Sequence, residues 1–463
     1  MVTFRADSSS IGLEDESDAN RPLAPRGRCV GGPGKQAMAS GAWRGYCLRA
    51  LYTLGIASLS YLLGAAVVYF KLPTSGLLDD AFLGGQAWSE RRKEANRHVD
   101  LVIPPVTIAV DQPSKAFDGY TAYSVDRGAQ AFLINMRGEI VHRWTTRFSE
   151  LWPKPPHVGN PVEDGHAYFF DCHVYPNGDL LTVFHGNGDT PYGYGLAKLD
   201  KNSKVVWTYS ANVHHSVDVD DDGVIYVLTQ ELVRETPKGL EWLSTPCLLD
   251  SLVLLSPEGK ELDRIPILEA FRDSPYAALL ARPDGRLGEG WDVLHTNRAS
   301  VLRKSMAPHF PRFRAGSVLI SVRQLDTIGV IDIESRKVTW AARGPWRGQH
   351  DPQFLDNGHL LIFDNRGFGS QSRVLEYDPD TQACPWVYAR DESTAFMSPI
   401  QGRAQRLGNG NTLIVNSIAG DLYEVSPKQE LVWSARCEVH VPWARRYSPS
   451  DVPFVQGALH ARP

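Results

Sequence analysis

The feature that most constrains this 463-residue chain is a unit that recurs from about Gly119 onward. Its clearest copy runs from Gly348 to Asn365 (GQHDPQFLDNGHLLIFDN). Two strand-like runs meet there at Asp356-Asn357-Gly358, the residue types that tolerate the left-handed backbone of a tight hairpin. Similar bends stand at Asn177-Gly178, Asp222-Gly223 and Asn409-Gly410. A second mark is a tryptophan after a β-branched run, at Trp144, Trp207, Trp340 and Trp433, with a looser copy at Trp386; Lys260 to Ile265 fills the remaining place. Each period is about 40 to 60 residues and holds four strand-like runs, which is the blade of a β-propeller. The runs divide into six blades, roughly 115–165, 166–212, 213–290, 291–345, 346–397 and 398–440, with seven the alternative count. The tail after about residue 440 is expected to complete the first blade and close the ring.

The expected fold class is therefore all-β: a six-bladed β-propeller over residues 115–463, preceded by a single N-terminal transmembrane helix. Residues 1–46 are polar and rich in Ser, Gly, Pro and Arg, a composition that cannot bury a core, so they are expected to be disordered. Leu51 to Phe70 is uncharged and long enough to span a bilayer, so 47–71 reads as an uncleaved signal anchor. Basic residues precede it (Arg21, Arg26, Arg28, Lys35, Arg44, Arg49), and Asp79-Asp80 follow. That asymmetry puts the N-terminus in the cytoplasm and the propeller on the periplasmic side of the inner membrane. Residues 72–114 read as a tether. The net charge of −5 gives no reason to expect nucleic acid.

No Cys/His spacing suits zinc, and no metal or cofactor is expected. Four cysteines fall in the main domain (Cys172, Cys247, Cys384 and Cys437), either as buried thiols or as disulfides in one of three connectivities. Asp218 to Gly223 resembles part of a calcium loop but lacks the downstream glutamate, so an acidic turn is the better reading. Lys304 to Arg314 (KSMAPHFPRFR) is a basic insertion at the bend of the fourth blade, expected at the opposite mouth from the candidate site.

The hairpin glycines serve as a ruler. His215 and His350 each lie eight residues before a turn glycine (Gly223 and Gly358), so a strand of about 26 Å carries both to the end of the blade away from its bend. Arg323 lies seven residues after Gly316, and His295-Thr296-Asn297 opens the strand before it. His215, His295, Asn297, Arg323 and His350 are thus expected at one mouth of the channel. Singly, each has an ordinary role: a packed histidine, a strand-end cap, a salt bridge. Together, imidazoles beside a guanidinium make a costly core unless an anion joins them, so the set reads as an anion pocket holding a nucleophile or acid/base.

His295-Thr296-Asn297, Ser317 to Arg323, Gln349-His350 with Phe363-Asp364-Asn365, and Gln405 to Ile414 together resemble the bacterial arylsulfate sulfotransferase family over about residues 119–437. The resemblance implies transfer of a sulfuryl group from a phenolic sulfate ester to another phenol without a nucleotide sulfate donor. It matches His350 to the nucleophile that becomes sulfated, and His295, Asn297 and Arg323 to residues that hold the sulfate oxygens and assist the leaving group. His215, and less directly His214, match a further pocket histidine. A protonated His215 or His295 is expected to serve the departing phenolate. Three departures stand out: a longer gap from Asn297 to Arg323, no cysteine pair before His350, and an anchor in place of the family's N-terminal β domain. Two other functions are compatible with the pocket. One is a non-enzymatic scaffold or anion-binding subunit of a membrane complex. The other is a sulfatase-like hydrolase, which the lack of acidic metal-binding clusters disfavours.

Overall fold

A computed structural model describes residues 51–64, 105–236, 241, 243–281, 291–367, 371–389 and 396–455. The chain separates into two units, Met1–Leu78 and Asp79–Pro463. In the first, residues 51–64 are helical and their large apolar side chains are exposed. Among the described residues no helix is long and apolar enough to cross a membrane. Residues 65–70 of the expected span lie outside the described residues, as do the segment 1–46 and most of the tether.

In the second unit the strands form six antiparallel sheets, the blades of a propeller. Blade 2 holds Ala167–Val174, Leu180–Gly186, Gly193–Leu199 and Val205–Tyr209. Blades 3, 4 and 5 open with Val213–Val219, Thr296–Val301 and His350–Phe354, and blade 6 with Arg403–Arg406. These opening strands meet in succession and line the central channel. Blade 1 is closed by the tail as expected: Ala444–Tyr447 pairs with Tyr120–Ser124 in register Tyr120 to Tyr447. One boundary differs from the sequence reading. Thr107–Asp111, assigned there to the tether, pairs with Leu431–Arg436 as a fifth, outermost strand of blade 6.

The tryptophans explain the spacing of the repeat. The indole nitrogen of Trp144 in blade 1 donates to the Gly178 carbonyl of blade 2 at 2.9 Å. Trp207 of blade 2 reaches Pro257 of blade 3, Trp386 of blade 5 reaches Pro427 of blade 6, and Trp433 of blade 6 returns to Met136 of blade 1. An outer-strand indole thus staples each of these blades to a turn of the next, with its ring packed and its one donor satisfied. Blade 3 lacks the tryptophan. Arg336 of blade 4 takes its place, bonded to both carboxylate oxygens of Asp263 at 2.7 and 2.8 Å.

The hairpin glycines behave as their sequence requires. Gly358 has φ +85°, and a Cβ there would lie 2.8 Å from the His309 carbonyl. That contact also locates the basic insertion, which packs at the turn end of the channel. Lys304 pairs with Asp222 and Arg303 with Asp218, so the acidic turn of blade 3 and the insertion of blade 4 neutralise each other. Cys172, Cys247, Cys384 and Cys437 are free thiols.

Ring closure has its own lock. Arg446, on the closing strand, is fully buried against Glu424 of blade 6 at 3.1 Å. It also donates to Thr121 Oγ1 and the Phe117 carbonyl and lies over the Trp433 ring. Removing one partner of such a pair strands a buried charge. Glu424→Gln is expected to destabilise the propeller by about 3–5 kcal/mol in urea unfolding, and Glu424→Leu combined with Arg446→Met to recover most of that loss. Equal destabilisation by the single and double variants would contradict this account.

Candidate functional site

The opening strands of four blades are irregular at the same end. In blades 2 to 5 the register slips at Phe170, at His215-Ser216, at Asn297 and at Asp351-Pro352. An extra residue in one strand of a pair is a bulge, which re-aims a side chain. His215, His295 and Asp351 have φ of +54°, +49° and +51°, a region that costs non-glycine residues about 1–3 kcal/mol each. The strain turns the imidazoles toward one another.

His350 is buried at the start of blade 5. Its Nδ1 faces two acceptors, Asn365 Oδ1 at 2.7 Å and the Gly348 carbonyl at 3.0 Å. Nδ1 therefore carries the hydrogen, and the lone pair sits on Nε2, where it accepts the Gln401 backbone N–H at 3.2 Å. Burial, then the nearby charges of Arg323 and His295, pushes the imidazole down to about 3 against the support of Asn365, so the ring is neutral at physiological pH.

The rings of His215 and His295 lie 4.9 Å apart. His295 Nδ1 meets Asp292 Oδ2 at 2.5 Å. Burial opposes ionisation of Asp292, but His295, His214 and Arg323 outweigh it and hold the carboxyl below its ordinary range. His215 is held far below the usual histidine range by burial first and then by His295, His214, His185 and His350. These surroundings disfavour a cation at His215. His214 is buried behind it, with Nδ1 at 2.9 Å from His215 Nδ1. Arg323 follows the second strand of blade 4 in a short 3₁₀ turn, its backbone N–H on the His295 carbonyl at 3.3 Å. Asn297 donates one amide hydrogen to the Gln349 carbonyl at 3.0 Å, and its Oδ1 is buried without a hydrogen-bond partner.

Beneath the imidazoles, Asp171, Arg298, Asp351 and Arg403 close the channel. Arg298 lies 3.4 Å from both carboxylates, and Arg403 lies 3.3 Å from Asp171 and 3.5 Å from Asp351. Arg403 also donates to the His215 carbonyl at 3.4 Å. Beyond this barrier a separate cavity of about 530 Å³ opens at the turn end, lined by Arg303, Arg406, Arg445 and Asn357 among others.

All six sequence-predicted residues lie at or beside this mouth, with His214 one layer back. Several neighbours went unread in the sequence. His185 stacks on Phe170 at 3.9 Å between centroids and accepts the His215 N–H at 3.1 Å. The Tyr192 ring adjoins His214, His215 and His295. Asp250, Asp292, Asn365 and Gln401 complete the set. The ruler already contained two of these: His185 lies seven residues after Gly178 and Asn365 seven after Gly358, as Arg323 does after Gly316. Asp250 and Asp292 carry no such mark.

The profile of the arylsulfotransferase (ASST) family matches residues 172–438. No curated protein matches the chain. Solved structures with a similar course include a protein of unknown function from Bacteroides caccae (12% identity, TM-score 0.43, covering 69% of this chain and 93% of that one). A streptogramin B lyase is also similar (9%, TM-score 0.41, 76% and 97%), as is the virginiamycin B lyase of Staphylococcus aureus (8%, TM-score 0.37, 71% and 87%). At these scores the structural likenesses carry no argument about the site.

The neutral histidines predict how stability responds to acid. An unfolded histidine binds a proton near 6.5, whereas burial holds His350 and His214 to about 3 and His173 to about 4. Below the unfolded value the unfolded state binds protons that the native state refuses, so stability falls as pH drops from about 6.5 toward 3. Asp250 and Asp171, whose carboxyls burial raises, run the other way but are outnumbered once His185 and His215 are included. The unfolding free energy is expected to decrease from pH 7 to pH 5, and His350→Asn to make that slope shallower by about 1 kcal/mol per pH unit. An unchanged slope would show that His350 titrates normally in the folded protein.

Proposed function

The chain belongs to the arylsulfotransferase family, and from that premise we propose that it moves a sulfuryl group from a phenolic sulfate ester to a phenolic acceptor through a sulfohistidine on His350. The observation that carries this reading is the tautomer of His350. With its Nδ1 hydrogen held by Asn365 and Gly348, the ring offers Nε2 as a lone pair, and burial keeps that lone pair unprotonated. A neutral imidazole at a site enriched in positive charge suits attack on an anionic ester.

Nε2 forms a bond to sulfur as the sulfur–phenolate oxygen bond breaks. Negative charge on the sulfuryl oxygens is met by Arg323, whose guanidinium suits a planar oxyanion, and by the second amide hydrogen of Asn297. The Gln401 N–H, now on Nε2, is positioned to pass to a sulfuryl oxygen as the lone pair is consumed. Asp292 Oδ2 meets His295 Nδ1 at 2.5 Å and fixes that ring beside the sulfuryl oxygens. In the second half-reaction the acceptor phenol attacks sulfur and His350 is released. No nucleotide sulfate enters this scheme. Phe170 and Tyr192 form an aromatic border fit for a phenyl ring. The uncharged stretch 51–70 with its basic leader supports an anchored enzyme, its propeller on the extracytoplasmic side of the membrane.

Native protein incubated with 4-nitrophenyl sulfate and a phenol is expected to release nitrophenolate, with parallel double-reciprocal lines as the acceptor varies. His350→Ala is expected to abolish release, and Arg323→Met to lower kcat by about 10²–10³-fold. No release by the native protein, with the ester bound but not turned over, would favour the scaffold function; undiminished release by His350→Ala would remove the sulfohistidine.

A further inference from the structure

We propose that Asp250 and His214 act with His215 as a proton relay, carrying a proton from a buried carboxyl to the departing phenolate and back again. The inference rests on the transferase reading above and adds two positioning residues behind the site. The three groups stand in line, with one short gap. His215 Nδ1 and His214 Nδ1 are 2.9 Å apart, so one must donate to the other. On the far side of the same ring, His214 Nε2 faces Asp250 Oδ1 at 3.6 Å. Both of these atoms are buried without a hydrogen-bond partner. Leaving two facing polar atoms unbonded costs about 1–3 kcal/mol each, and closing the gap by about 0.7 Å would satisfy both. The other carboxylate oxygen of Asp250 is held by the Thr296 backbone N–H at 2.7 Å, which fixes the group beside His295.

The relay supplies a proton without charging either ring. The leaving phenolate needs a proton, and the surroundings of His215 and His214 disfavour an imidazolium. Asp250, by contrast, is raised well above the usual carboxylate range by burial and the Asp292 charge, which favours a protonated carboxyl. Before reaction, protonated Asp250 faces His214 Nε2. His214 Nδ1–H donates to His215 Nδ1, and His215 carries its hydrogen on Nε2. As the sulfur–oxygen bond breaks, His215 Nε2–H passes to the phenolate oxygen. His215 Nδ1 takes the hydrogen of His214 Nδ1, and His214 Nε2 takes that of Asp250. Both rings end neutral with their tautomers exchanged, and the negative charge moves from the phenolate to Asp250. When the acceptor phenol attacks, its proton enters at His215 Nε2 and the sequence reverses. The groups that set this balance are Asp292, His295 and Arg323 of blade 4 and its approach, His185 and Tyr192 of blade 2, and His350 of blade 5. The Thr229 carbonyl also lies by the His214 ring.

The test is the dependence of turnover on the leaving group. Asp250→Asn keeps the acceptor for Thr296 but cannot give up a proton. The readout is the single-turnover release of phenol without acceptor, which isolates the first half-reaction: with phenyl sulfate, whose phenol is as weakly acidic as tyrosine, its rate is expected to fall by about 100-fold or more; with 4-nitrophenyl sulfate, whose leaving group needs little protonation, by less than about 5-fold. His214→Asn should show the same split. A loss equal for both esters would mean a structural role and overturn the relay while leaving the transferase intact. Should neither variant fold, the native enzyme decides: a single-turnover rate of phenol release without acceptor that is nearly independent of phenol acidity upholds the relay, and a steep dependence overturns it. No turnover of any ester by the native protein would overturn the transferase reading, and the relay with it.

Discussion

Four charged side chains crossing the channel, Asp171, Arg298, Asp351 and Arg403, divide the interior of this propeller into two compartments. They come from blades 2, 4, 5 and 6, so each ion pair is also a cross-brace between blades. Burying four charges costs several kcal/mol apiece unless they are paired, and no two neighbouring blades supply the whole set. The set therefore forms only when blades 2, 4, 5 and 6 are all in place. Its Arg403 touches the backbone of His215, so the floor of the candidate site and the brace of the fold are one network.

Above that floor the dominant physical fact is desolvation. Five imidazoles, His185, His214, His215, His295 and His350, crowd one mouth, and burial is the first cause of the low basicity of His185, His214, His215 and His350. A neutral ring keeps a lone pair with which it can attack, whereas a protonated one does not. Positive charge is left to Arg323, which cannot lose its proton. Such a site can favour an anion while leaving the His350 lone pair unprotonated. The aromatic rings of Phe170 and Tyr192 exclude water from the same space and so deepen the effect.

Much of this was legible in the chain. The turn glycines act as a ruler because a hairpin strand has a fixed rise, so positions eight before or seven after a bend must share the far end of the blade. That placed His215, His350, Arg323 and the His295-Thr296-Asn297 opening together. Applied to blade 2, it also yields His185, and applied to blade 5, Asn365. The ruler measures height along a blade but is blind to rotation. Whether a side chain enters the channel depends on the bulges at Phe170, His215-Ser216, Asn297 and Asp351-Pro352, which alter the alternation by one or two residues. Nothing in local composition announces a bulge at a histidine.

The sequence by itself determined the propeller, its six blades, its closure by the tail and the mouth at which the chemistry gathers, because turn residues, strand length and the recurring tryptophan act within tens of residues. Only the tertiary structure decided the tautomer of His350, the carboxylates Asp250 and Asp292 behind the imidazoles, the ionic floor, and the fifth strand that Thr107–Asp111 adds to blade 6. Those features are contacts between distant parts of the chain: Arg298 with Asp171 across 127 positions, and Arg403 with His215 across 188. Hydrogen-bond partners and burial set the protonation of a side chain, and both come into being only when the ring has closed.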